Sequence, residues 1–134
     1  MADIEITQIK NNPPGTDTQG KLNQEYIVIR NTTKDKQFKL DGCIVSDRTP
    51  TGQETHLFRF PVTINRNETW TFDPGEYIFL MTGSGTNTFK PSDGSHPPQF
   101  HFFMQRNAFV WNNPGDTAFL RLPNGEFIHW MKVP

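Results

Sequence analysis

A single cysteine, Cys43, in 134 residues excludes a disulfide framework and any cysteine-built zinc site. No apolar run approaches the roughly 20 residues that a membrane-spanning helix needs, so membrane insertion is not expected. An excess of one charge is missing too: 13 basic and 14 acidic side chains leave a net charge of −1. A dedicated nucleic-acid or anionic-membrane binder would carry a positive surplus. Met1, Ala2 and Asp3 begin no basic stretch followed by an apolar one, so no signal peptide is visible. A lone buried thiol favours the cytoplasm slightly, whereas the Thr- and Asn-rich surface would suit a secreted chain whose leader had been trimmed.

What is present leans towards strands and turns: twelve Phe, eleven Pro and ten Gly, with few Ala and Leu. Residues 1–134 are expected to form one domain, since a chain of this length buries roughly two-thirds of its unfolded surface. Turn signals recur about every 8–12 residues, the spacing of an all-β sandwich. Ile4, Ile6 and Ile9 open a first strand that Asn11-Asn-Pro-Pro-Gly15 stops. Glu25-Tyr-Ile-Val-Ile-Arg-Asn31 and Leu40–Asp47 follow, and then His56–Pro61 puts Phe58 and Phe60 on one face, Leu57 and Arg59 on the other. Asp73-Pro74-Gly75 is a turn before Glu76–Met81, a nearly continuous apolar strand that predicts cover on both faces, by a loop or by a partner subunit. Thr82–Gln99, with almost no periodicity, reads as one long loop. Phe100–Phe103, Phe109–Trp111, Thr117–Leu122 and Phe127–Trp130 complete the strands, and Pro123-Asn124-Gly125 marks a hairpin. No helical period, internal repeat or second domain is visible.

The order of these pieces resembles the lamin tail domain family. Glu25–Asn31 is similar to the family's strand ending in Asn, and Leu40–Asp47 to its Leu-x-Gly-aromatic segment. Phe58-Arg-Phe-Pro61, Phe72-Asp-Pro-Gly75 and Gly83-Ser-Gly85 fit in turn. The most specific stretch is Val110-Trp-Asn-Asn-Pro-Gly-Asp-Thr-Ala-Phe-Leu120, followed by Asn124-Gly125. The resemblance implies an all-β, immunoglobulin-like β-sandwich of two antiparallel sheets, with 8–10 strands, covering the whole chain. Cys43 stands where the family usually has a bulky aromatic, so Trp70 or a phenylalanine is expected to fill that region. With no heptad rod, no basic localisation cluster and no prenylation signal at Met131-Lys-Val-Pro134, the resemblance is to a free-standing bacterial or archaeal type, not to an intermediate-filament protein.

No constellation points to catalysis, and no catalytic, cofactor-binding or metal-binding residue is expected. Among His56, His96, His101 and His129, only His96 and His101 lie close in sequence, and Pro97-Pro-Gln-Phe100 supplies no third ligand. Ser84 lacks the nucleophile-elbow context, Gly83-Ser-Gly-Thr86 lacks the P-loop ending, and Asp17 and Asp93 sit in turn contexts without a calcium-loop pattern. Cys43 at an inward strand position is expected to have a raised pKa.

The leading expectation is a non-enzymatic structural or protein-interaction module. It would bind a protein partner or its own copies through the 82–99 loop, carried by Phe89, His96 and Phe100, and through the edges of the Ile4–Ile9 and Phe127–Val133 strands. The alternative is a nucleic-acid-binding domain using Arg30, Lys34, Lys36 and Lys39, which cluster with only Asp35 and Asp41 to offset them; the family's link to DNA and chromatin implies the same. A carbohydrate-binding module using an exposed tryptophan is a third reading. Asn31-Thr-Thr and Asn67-Glu-Thr match the glycosylation sequon.

Overall fold

The dense β-branched and aromatic runs become strands, and their inward faces share one core. The computed structural model describes residues 3–11, 19–48, 52–64, 68–111 and 116–134. It contains β1 (Ile4–Lys10), β2 (Tyr26–Asn31), β3 (Ile44–Arg48), β4 (Glu54–Arg59), β5 (Tyr77–Met81), β6 (Thr88–Lys90), β7 (Gln99–Phe103), β8 (Thr117–Arg121) and β9 (Phe127–Lys132). Two sheets result, ordered β1-β2-β5-β7-β6 and β4-β3-β8-β9, stacked as an immunoglobulin-like sandwich. The Pro13-Pro14-Gly15 stop, Asn67 and the 112–115 corner lie outside the described residues.

Alternation decides which side chains meet. Ile27, Ile29, Ile78, Leu80 and Phe102 from the five-stranded sheet and Val45, Ala118 and Leu120 from the other are fully buried. Each large apolar side chain taken from water in this way stabilises the fold by about 1.5–3 kcal/mol. Trp70 packs on Phe100 and Phe102, both at 5.0 Å between centroids, and Phe60 lies 5.2 Å from Phe102. Cys43 belongs to the same core, and its backbone oxygen accepts from the N–H of Phe60, so a ring sits on the strand paired with the cysteine.

One pairing in the sandwich is parallel, β5 with β7, where Ile78 faces Phe100 and Leu80 faces Phe102. This is why the 82–99 stretch is long. Parallel neighbours cannot be joined by a tight hairpin and need a crossover of a dozen or more residues. The stretch is not structureless as expected, since it folds back to place β6 against β7 and Gln99 already belongs to β7. Its first part covers the outer face of the sheet: a side chain at Gly85 would come within 2.5 Å of the Phe103 ring. Residues Gln19–Gln24 form a short 3-10 helix, invisible to a search for 3.6-residue period and anchored by buried Leu22. No helix among the described residues is long and apolar enough to cross a membrane.

The turns form where proline and glycine predict them. Asp73-Pro74-Gly75-Glu76 closes with the N–H of Glu76 on the Asp73 carbonyl at 3.1 Å, and Gly75 takes φ 81°. The β8–β9 hairpin turns at Pro123-Asn124-Gly125. The terminal strand edges, expected to be open for a neighbour, are turned on each other instead. The Ile6 N–H donates to His129 Nδ1 at 3.0 Å, His129 Nε2 lies 3.7 Å from Glu5 Oε1, and Asn11 donates to the Pro134 carbonyl. β4 and β6 are the other sheet edges.

Candidate interaction surface

The outer face of the four-stranded sheet is built by register. Phe119 pairs with Trp130, Thr117 with Lys132, and Arg121 with Phe127, so these side chains share a face. On the other side of β8, Phe119 stands opposite Ser46, Thr117 opposite Arg48 and Arg121 opposite Ile44. Two irregularities decide which residues join them. A register shift between Leu120 and Arg121 brings Phe127 and Trp130, three residues apart, to the same side. A second shift, between Val45 and Asp47, places His56 and Leu57 in a bulge of β4. Buried Asp47 fixes that bulge: its Oδ1 accepts from the Thr55 hydroxyl at 2.7 Å and lies 2.9 Å from His56 Nδ1, while His56 takes φ 52°. Leu57 then points to solvent.

Three of the five large apolar side chains exposed among the described residues lie on this face: Leu57 at 58%, Phe127 at 55% and Trp130 at 58%. Between them, Arg121 is held rigidly. Its Nε and Nη2 donate to the two Glu54 oxygens at 3.0 and 3.2 Å, and its Nη1 donates to the Gly125 carbonyl at 2.9 Å. Its guanidinium lies 4.1 Å from the centre of the Phe127 ring and 5.2 Å from that of Phe119, while Arg48 lies 5.6 Å from Phe119. Partial desolvation opposes ionisation of Glu54, but hydrogen bonds from Ser46 and Arg121 and the charges of Arg121 and Arg48 outweigh it and lower its pKa.

The residues singled out from sequence are placed elsewhere. Phe89 and Phe100 meet, with centroids 4.7 Å apart, but Phe100 is buried and belongs to the core. Together with Trp70, Glu68, Asp73 and Glu76 they line a shallow pocket of about 240 Å³. His96 is not part of that lining; it stands 3.6 Å from Asp93 in its own turn. In the basic set, Arg30 lies over the Tyr77 ring at 5.3 Å and Lys36 reaches Asp3 at 3.4 Å, while Lys34 and Lys39 are exposed. Arg30 thus lies on β2 of the five-stranded sheet, and Lys36, in the loop after β2, reaches Asp3 just ahead of β1. His101 stands beside Gln99 and Phe79, and burial, reinforced by Lys90 and His96, lowers its pKa. No cluster of three or more metal-ligating side chains occurs among the described residues. Asn31 of the first sequon is buried with its amide nitrogen donating to Lys36 and Phe72 carbonyls, which leaves nothing for a glycan.

Sequence reasoning missed the outer face because both bulges break the two-residue period. Read with strict alternation, Phe127 and Trp130 fall on opposite sides, as do Glu54 and Leu57. The available signal was compositional: Phe and Arg recur together in Phe119–Arg121, with Phe127 and Trp130 just beyond the hairpin.

Strand order, stacking and the common core place the chain among immunoglobulin-like β-sandwich domains. The chain belongs to the Lamin Tail Domain family, which it matches over residues 1–134 and whose members are in general non-catalytic. A search of curated proteins finds no match.

Proposed function

We propose that this chain is a non-enzymatic protein-interaction module that docks a partner on the outer face of its four-stranded sheet. The observation that carries this reading is the exposure of Leu57, Phe127 and Trp130 around an Arg121 already fixed by Glu54. Interfaces draw most of their energy from a few Trp, Tyr and Arg side chains, and a pre-ordered arginine loses less entropy on binding. A row of exposed side chains spread over four strands suits a macromolecule better than a small substrate.

The test is site-specific photo-crosslinking in cells of the source organism. A photo-reactive amino acid at Leu57 is expected to give a discrete protein adduct, and one at Arg30 on the opposite sheet is expected to give none. Adducts from Arg30 alone, or from neither position, would remove the assignment. An adduct with the mass of two copies of this chain would identify self-association as the use of the face.

A further inference from the structure

We infer that the partner of this face is an acidic protein segment with apolar side chains, laid across the four strands; the inference rests on the proposed function above. Among the described residues paired in register on this face, Arg48, Arg59, Arg121 and Lys132 stand against one carboxylate, that of Glu54, and Glu54 is bound to Arg121. Among the described residues no carboxylate lies within ion-pair distance of Arg48, Arg59 or Lys132. The whole chain has a net charge of −1, so this positive excess is segregated onto one surface and does not reflect the average composition.

Geometry favours a polypeptide over a nucleic acid strand. Base stacking needs open rings; Phe119 is only 7% exposed and the Phe127 ring already carries Arg121 at 4.1 Å, so Trp130 is the most open platform. Leu57 on β4 and Trp130 on β9 belong to the outermost strands of the sheet, roughly 14 Å apart at the usual strand spacing. An extended segment covers that distance in about four residues, and residues four apart in a strand point the same way. Two apolar side chains of the partner then reach Leu57 and Trp130, with acidic side chains between and beside them over the arginines.

The experiment pans a display library of random 12-residue peptides against the immobilised domain. The comparison is a triple variant, Arg48→Glu, Arg59→Glu and Lys132→Glu, whose thermal melting confirms that it folds. The native face is expected to enrich acidic sequences with Leu or aromatic residues, and the triple variant to bind those peptides at least tenfold more weakly. Trp130→Ala is expected to weaken them as well. Enrichment of neutral or basic peptides, or no enrichment, overturns the inference. So does tighter binding of a 20-nucleotide oligothymidylate that the same triple variant abolishes. Crosslinks from Leu57 combined with failure of the acidic peptides would leave the docking face standing and remove only the stated chemistry of its partner.

Discussion

Asn31 ends β2, and replacing it tests whether its side chain is a knot in the sandwich or a bystander. Its amide nitrogen donates to the Lys36 carbonyl at 2.9 Å and the Phe72 carbonyl at 3.0 Å, while its oxygen accepts from the Thr33 N–H at 3.0 Å and hydroxyl at 2.7 Å. The residue is 1% exposed. Asn31→Ala leaves the Phe72 carbonyl without that donor and loosens the 32–36 loop, a loss of about 2 kcal/mol for one well-buried group and its partners. At about 2.1 cal/mol/K of unfolding entropy per residue, 134 residues give about 0.28 kcal/mol/K, so the melting temperature falls by about 7 °C. Asn31→Asp is more discriminating, because it keeps the acceptor but turns the donor into a carboxylate oxygen facing two carbonyls. A buried charge left without compensation costs about 3–5 kcal/mol, so Asp is expected to be worse than Ala at pH 7. The introduced carboxyl would have a folded pKa above its unfolded one. Its proton is then favoured by folding, and the variant should regain stability as pH falls towards 4 and lose it as pH rises. Calorimetric melting of the three proteins between pH 4 and pH 8 reads this directly. An Asp variant as stable as wild type at pH 7, or one that weakens on acidification relative to wild type, would refute the reasoning.

Three other outcomes are expected. Cys43, whose pKa is pushed up to about 11 by burial and then by Asp41, should resist a thiol reagent at pH 8 until denaturant is added, followed by absorbance. Gly85→Ala should lower the melting temperature by several degrees, because the new methyl meets the Phe103 ring, whereas Gly94→Ala strains a positive φ but meets nothing and should cost less. Burial, then the charge of Asp73, raises the pKa of Glu76, although an N–H from Asp73 favours its ionised form. Stability is therefore lost as pH rises through the folded pKa, and Glu76→Gln, which keeps that acceptor, should gain on wild type over the same rise in denaturant titrations.

The fold was largely legible because its signals are local. The β-branched run at 26–31, the Asp73–Gly75 turn and the Pro123–Gly125 turn each specify their geometry within a few residues. The parallel β5–β7 pair was not legible, since nothing in Thr82–Gln99 distinguishes a crossover from a loop until β7 is seen beside β5. The candidate face was hidden by the two register shifts, which no two-residue period can represent. Phe100 looked like a loop-end anchor because its burial depends on Trp70 and Phe72, far away in sequence.

The contact between Ile6 and His129 joins residues 123 positions apart, and it sets a condition on how the molecule comes into being. During synthesis β1 leaves the ribosome first and can pair with β2 early, but its other side has no companion until β9 emerges. A loop of that length costs entropy to close before any contact rewards it. Closure of the sandwich therefore waits for β9, and until β9 is made the outer edge of β1 lacks the His129 contact. Circular permutants that bring β9 next to β1 in sequence should shorten that vulnerable interval and fold faster, with the same final architecture.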